Sequence, residues 1–262
     1  MMKILLTNDD GYDAVGLKAL IKALTPIAKV MVVAPAKNKS ACGHSLTLDK
    51  PLRLISVDDE YYKIDDATPT DCIYLSLGHL FKNGYRPDLV ISGINIGANM
   101  GEDITYSGTA SAAMEAVIHG VPAIAISQVC KDMCRSIVVD WDFELACKVI
   151  LELVNKIKNG SFPLAERKFL NVNIPPLKTK DCKGVKITKA GYREYGNDAH
   201  RHTNPRGEEY YWIGLHPLRW KPSLDSSCDF EAIKNGYVSI SPIMLDMTSH
   251  SDIKNLENWL EK

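Results

Sequence analysis

Apolar residues in the first half of the chain gather in short runs, separated by stretches of helical spacing. Lys3–Leu6, Lys29–Ala34 (KVMVVA), Asp88–Ser92 (DLVIS) and Pro122–Ser127 have apolar centres, the pattern of strands covered on both faces. Between them, Gly16–Leu24 sets Leu17, Leu20, Ile21 and Leu24 on one helical face. Thr109–His119 is an Ala-rich helix ending at Gly120. Thr68-Pro69-Thr70-Asp71 opens a helix running to about Phe81, with Thr68 as N-cap and Pro69 at the first helical position. Leu52–Val57 and Tyr61–Ile64 predict a hairpin across Asp58-Asp59, and Asp140–Lys158 a long amphipathic helix. The alternation predicts a doubly wound, Rossmann-like α/β fold: a mostly parallel sheet with helices on both faces.

The second half changes character. Phe169–Ile174 and Val185–Thr188 read as strands extending the sheet. Asp198–Arg206 reads as a polar loop with His200, Arg201, His202 and Arg206. Glu209–Leu215 (EYYWIGL) is an aromatic strand whose Tyr210, Tyr211 and Trp212 read as packed residues rather than a platform for a base. Tyr237–Ser241 is a further strand and Asp252–Leu260 a terminal helix. The loop and aromatic strand suit either an arm on a partner subunit or an ordinary surface hairpin. The organisation expected is one domain over 1–262, with a core in 1–160 and, in 161–262, a sheet extension followed by a C-terminal hairpin and helix.

The 262 residues carry 31 Lys+Arg against 32 Asp+Glu, a net charge of −1, so no basic excess supports a nucleic-acid polymer as partner. The 45% hydrophobic content excludes a disordered chain. No apolar stretch is long enough for a membrane helix or a secretory leader. The seven Cys are irregularly spaced, and Cys130/Cys134 has no second pair to complete a zinc site. Irregular, apolar-flanked thiols fit a reducing, cytoplasmic location.

Ligands of doubly wound sheets bind beyond the carboxyl ends of the strands, so chemistry is sought in those loops. The first strand ends in Thr7-Asn8-Asp9-Asp10-Gly11. Adjacent carboxylates at a central strand tip are costly unless a cation joins them, and Gly11 permits the turn that gathers both at one point. The alternative is a plain turn or helix cap. A dinucleotide site is disfavoured: GxGxxG is missing and the carboxylates would repel a pyrophosphate. In the next loop, Pro35–Ser45, Ser40 offers a neutral oxygen for a hard metal and Lys37 or Lys39 would attract an anion. The loop Ser92–Gly101 interleaves three Gly with two Asn, so backbone N–H groups and amides can approach a ligand closely. Tyr106-Ser107-Gly108-Thr109 then enters a helix whose N-terminus is an anion site, or is simply capped by Ser107 or Thr109. An oxygen-only donor set selects Mg²⁺ or Mn²⁺, and a hard metal beside an anion cradle suits a phosphate monoester. His44, close to Ser40, reads as structural, and His200 and His202 as surface residues.

The motifs TNDDG (Thr7–Gly11), VVAP (Val32–Pro35), ATPTDC (Ala67–Cys72), SGINIGANMG (Ser92–Gly101) and YSGTASAAMEA (Tyr106–Ala116) together resemble the SurE (survival protein E) nucleotidases. Pro205–Gly207, Tyr211–Gly214 and Gly236–Pro242 extend the resemblance over nearly the whole chain. It implies a metal-dependent phosphatase of nucleoside 5′- and 3′-monophosphates, in some members also of short polyphosphate, linked to stationary-phase survival. The family's metal ligands carry over to Asp9, Asp10, Ser40 and Asn95, holding one divalent ion per subunit. Its phosphate contacts carry over to Asn99, Ser107, Gly108 and Thr109. It also implies a homodimer or tetramer with exchanged C-terminal arms. Many members have Gly directly after the ligating Ser, where this chain has Ala41-Cys42. The rival readings are a non-catalytic metal- or nucleotide-binding module on the same fold, and a glycosyltransferase, whose DxD motif NDDG matches poorly.

Overall fold

The computed structural model describes residues 1–81, 86–130, 141–196, 199–213, 218–222 and 227–261. Cys134, Asp140, Asp198, Gly214 and Leu215 of the preceding expectations lie outside them. In chain order the strands are β1 (Lys3–Thr7), β2 (Lys29–Pro35), β3 (Arg53–Asp58), β4 (Tyr61–Asp65), β5 (Leu89–Ile96), β6 (Ala123–Gln128), β7 (Lys168–Ile174), β8 (Val185–Ile187), β9 (Arg193–Glu194), β10 (Ala199–Thr203), β11 (Glu209–Ile213), β12 (Arg219–Trp220) and β13 (Val238–Met244). The helices are α1 (Val15–Leu24), α2 (Pro69–Leu75), α3 (Asp103–Tyr106), α4 (Gly108–Ile118), α5 (Glu144–Asn159), α6 (Asp229–Lys234) and α7 (Ile253–Leu260).

Nine strands form one sheet in the order β3-β4-β2-β1-β5-β6-β7-β13-β8. All neighbours are parallel except β3/β4 and β7/β13, so the expected α/β architecture is present. From β1 the chain adds β2 on one side, moves outward to β4 and β3, then returns as β5 on the other side of β1. The loops leaving β1 and β5 therefore part in opposite directions and open a crevice at their carboxyl ends.

Strand alternation splits the core into two layers. Ile4, Leu6, Leu89, Ile91, Ile124 and Ile126 face α1 and α5. Leu5, Val33, Val90, Ala123 and Ala125 face α2 and α4. On that second side small residues meet small residues: Ala110, Ala112, Ala113 and Ala116 of α4 share the layer with Ala123 and Ala125. The Ala-rich helix thus lies close to the sheet, which fixes where its N-terminus points. Thr68 and Asp71 form a reciprocal capping box at α2, as the Thr-Pro start predicts. Gly120, at φ +73°, ends α4 with its N–H on the Val117 carbonyl.

Two expectations need correction. The polar stretch beginning at Asp198 contains β10, paired antiparallel with β11 from Ala199↔Ile213 to Thr203↔Glu209. Every residue of both strands is exposed, so no inside–outside alternation marked β10 as a strand. Tyr210, Tyr211 and Trp212 are correspondingly not packed in a core: Trp212 is 65% exposed. Among the described residues, no helix is long and apolar enough to cross a membrane.

Candidate active site

Four strand-tip segments converge on a cleft of about 310 Å³. Asp9, Ser40, Asn95, Asn99 and Ser107 line it, with Ala41, Ile96–Ala98, Asp103, Tyr106, Arg193 and Tyr195. Of the residues singled out in the sequence, Asp10, Gly108 and Thr109 sit at its border rather than on its lining.

The turn after β1 is held by the Asn8 amide, which donates to the Gly11 carbonyl at 2.8 Å. Gly11 lies at φ +109°, a region L side chains rarely adopt. Asp9 is buried under the start of α4, where the Thr109 hydroxyl donates a short hydrogen bond to its Oδ1. Burial pushes the Asp9 carboxyl up, against the Thr109 hydroxyl and the N–H groups of Asp9, Thr109 and Gly108. Asp10 accepts from the Ile96 N–H at 3.2 Å and the Asn38 amide at 3.3 Å. Burial first, and the Asp9 charge second, raise its pKa to about 6.

Gly108 makes this approach possible. A Cβ there would stand 2.8 Å from Asp9 Cβ, 3.0 Å from Cys42 Sγ and 3.1 Å from Asp9 Oδ2. Ser107 caps α4, its Oγ accepting from the Ala110 N–H at 3.0 Å. That leaves the Ser107 hydroxyl proton available to the cleft.

β5 does not stop at Ser92 but runs on to Ile96 through a bulge: Ser92 pairs with Ala125, yet Asn95 pairs with Ser127. The extra residue turns the strand end so that Asn95 reaches the cleft. Its amide donates to the Gly97 carbonyl at 3.0 Å, so the carbonyl oxygen stays free to act as a donor to a cation.

Several residues that hold the site were not singled out in the sequence. Asn171 and Asn173 of β7 both donate to the Asn99 carbonyl, at 2.8 and 3.0 Å. Asn173 also accepts the Asn99 N–H at 3.0 Å, and the Asn99 amide donates to Ser127 at 2.8 Å. Buried Asp229 at the start of α6 accepts from the N–H groups of Gly101 and Gly191, each at 2.9 Å. The signal for the Asn pair was the polar alternation in KFLNVNI, which in a central strand has no solvent to face. His44 is not on the cleft lining; its Nε2 lies 2.8 Å from Glu115 on α4, and Glu115 also meets His119 at 3.0 Å. The structural reading of His44 holds.

The donor chemistry fits a hard divalent cation. Buried Asp9 and half-buried Asp10 stand side by side, and both carboxyls have raised proton affinity. The completing donors, Ser40 and Asn95, are oxygens.

A family model described as "Survival protein SurE" matches residues 4–197. The chain belongs to the SurE family. It is 76% identical to "5′-nucleotidase SurE" of Aliarcobacter butzleri over 260 residues, covering 99% of each chain. The protein of the same name from Sulfurovum sp. is 61% identical, over 99% of this chain and 98% of that one. The crystal structure of the SurE protein from Aquifex aeolicus superposes with a TM-score of 0.83 at 41% identity, covering 99% of this chain and 100% of that one. Ala41, where the family resemblance leads one to expect Gly, adopts φ +59°, the left-handed conformation glycine takes freely. The departure is one of side chain, with the glycine-like backbone retained.

Proposed function

We propose that this SurE-family protein is a metal-dependent phosphomonoesterase that hydrolyses nucleoside 5′-monophosphates, and also 3′-monophosphates, to nucleoside and phosphate. Short-chain polyphosphate is a further substrate in this reading. The observation that carries it is buried Asp9 on the cleft lining, bonded to the N-terminus of α4, with half-buried Asp10 beside it at the border. Its relatives from A. butzleri and Sulfurovum, named 5′-nucleotidases, support the same chemistry.

In this reading Asp9, Asp10, Ser40 and Asn95 hold one Mg²⁺ or Mn²⁺ per subunit. When bound, the ion would supply Lewis-acid chemistry, lowering a water's pKa and neutralising phosphoryl charge. Asp9 would orient the attacking water and take its proton as the water oxygen attacks phosphorus. The ester P–O bond breaks and the leaving oxygen recovers a proton. The Asn99 amide, the Ser107 hydroxyl and the N–H groups at Gly108 and Thr109 hold the equatorial oxygens, where the transition state spreads its charge. The cytoplasm is the site of action. A homodimer or tetramer is the working form: β10, β11 and α7 expose Tyr211, Trp212, Ile213, Leu256, Trp259 and Leu260, suited to burial against a second copy.

The test is inorganic phosphate release from AMP before and after chelation, with Mn²⁺ or Mg²⁺ add-back, for wild type and Asp10→Asn. Release restored by metal and lost in the variant is expected. Metal binding without release from any mononucleotide or short polyphosphate would favour the non-catalytic module. A single turnover in H₂¹⁸O should put label into phosphate; label in Asp9 instead would mean a covalent aspartyl-phosphate.

A further inference from the structure

The cleft has a second wall that the phosphate chemistry leaves unused. Tyr106 stands one residue before Ser107 and is 59% exposed. Tyr195 meets it edge to face, with centroids 6.1 Å apart and planes at 79°. Two rings at a near right angle make a corner, in which a flat group can stack on one ring and abut the other.

Tyr195 is a fixed member of this corner. Its hydroxyl donates to Asp103 Oδ1 at 2.7 Å. Asp103 Oδ2 accepts from Arg193 Nε at 3.1 Å, and the Arg193 guanidinium lies 5.3 Å from the Tyr195 ring centroid. Both Asp103 oxygens are thus engaged in holding the wall, and one face of Tyr195 is covered by Arg193. Tyr106 is the ring with more open surface, tethered directly to the residue that caps α4.

We infer that Tyr106, backed by Tyr195, stacks the nucleobase of the substrate, while Asp103 and Arg193 position Tyr195. This inference rests on the nucleotidase reading above and names the part of the substrate that reading leaves unassigned. Recognition of this kind tolerates any base, because every base has a π-face. The cleft therefore distinguishes nucleotides from base-free phosphate esters better than it distinguishes one nucleotide from another.

The test compares kcat/KM for AMP and for ribose 5-phosphate with Mn²⁺ present. Tyr106→Ala should lose about tenfold to a hundredfold on AMP, mainly through KM, and within about twofold on ribose 5-phosphate. Tyr106→Phe should retain AMP activity, since the ring and not the hydroxyl is used. Tyr195→Ala should lose less than Tyr106→Ala. Equal losses on both substrates would overturn the inference, because Tyr106 would then act only by positioning Ser107; so would no loss on AMP. AMP binding measured with chelator present should weaken by the same factor in Tyr106→Ala, which tests the stacking independently of turnover. Wild type that binds AMP with this Tyr106 dependence but releases no phosphate would sink the nucleotidase reading and leave the base subsite standing.

Discussion

The carboxyl end of the central strands β1 and β5, with α4, and the β10–β11 hairpin with α7 lie at opposite extremes of burial. In the first region even the polar residues are buried: Asp9, Asn95, Asn99, Ser107 and Thr109 are at most 7% exposed. In the second, no residue is buried, although the strands and helix carry Tyr, Trp, Ile and Leu. Many polar groups of the first region find partners within the chain, as Asp9, Asn99 and Ser107 do, while Thr7 Oγ1, Asn8 Oδ1 and Ser92 Oγ are buried without one among the described residues. The second has apolar surface that the described chain does not cover.

The strongest way to break this contrast is at Gly108. Gly108→Ala drives a methyl to within 2.8 Å of Asp9 Cβ, so the carboxylate or the helix must shift. Phosphate release from AMP should fall about 100-fold or more, because displacements of that size misalign reacting groups. Activity within twofold of wild type would show that α4 does not set the Asp9 geometry.

Next comes metal and pH. The folded-state pKa of Asp10 is raised from 3.8 to about 6, so between those values the folded protein holds a proton that the unfolded chain releases. Metal-free stability should therefore decline as pH rises from about 4 to about 6, by at most about 3 kcal/mol. A divalent cation requires the ionised pair, so added Mn²⁺ should raise the unfolding midpoint more at pH 7 than at pH 5. Calorimetry showing equal increments at both pH values would remove Asp10 from the ligand set.

Asn173→Ala removes both hydrogen bonds between that side chain and the Asn99 backbone. A stability loss of about 1–3 kcal/mol is expected from the unpaired buried groups, with roughly tenfold lower activity. Denaturant unfolding and steady-state kinetics check the two effects separately. In the exposed region, replacing Trp212 and Ile213 by Ser should lower the mass seen in sedimentation velocity at micromolar concentration, with unchanged far-UV circular dichroism. An unaltered mass would mean the hairpin is not an interface. The smallest effect is expected at Ala41, where Gly relieves a left-handed backbone worth about 1–2 kcal/mol but adds chain entropy of about 0.5–1 kcal/mol. Ala41→Gly should raise the unfolding midpoint slightly; a drop would contradict the strain.

The same contrast decides what could be read in the sequence. Elements with a continuous apolar run or a one-sided apolar face announced themselves: β1, β2, β6 and α1 lie within a residue of expectation. β10 did not, because all its positions are exposed and AHRHT then looks like a loop. β5 was cut short at Ser92 because Gly93 resembles a loop start, whereas it begins an in-strand bulge. The candidate ligands were legible because Asp, Asn, Gly and Ser at strand tips carry their chemistry in their type. Asn171, Asn173 and Asp229 were not, since each acts across more than seventy residues of chain on a backbone group that has no sequence signature.

The bond from Asp229 to the Gly101 N–H spans 128 residues. Its loop-closure entropy is among the largest in the molecule, and its partner is made late in synthesis. Strands β1 to β6 and their helices can assemble while Asp229 is still unmade. The glycine-rich loop above them then gains its final anchor only after nearly the whole polypeptide exists. A chain ending before α6 would carry every strand-tip donor yet lack the Asp229 tether to the Gly101 N–H.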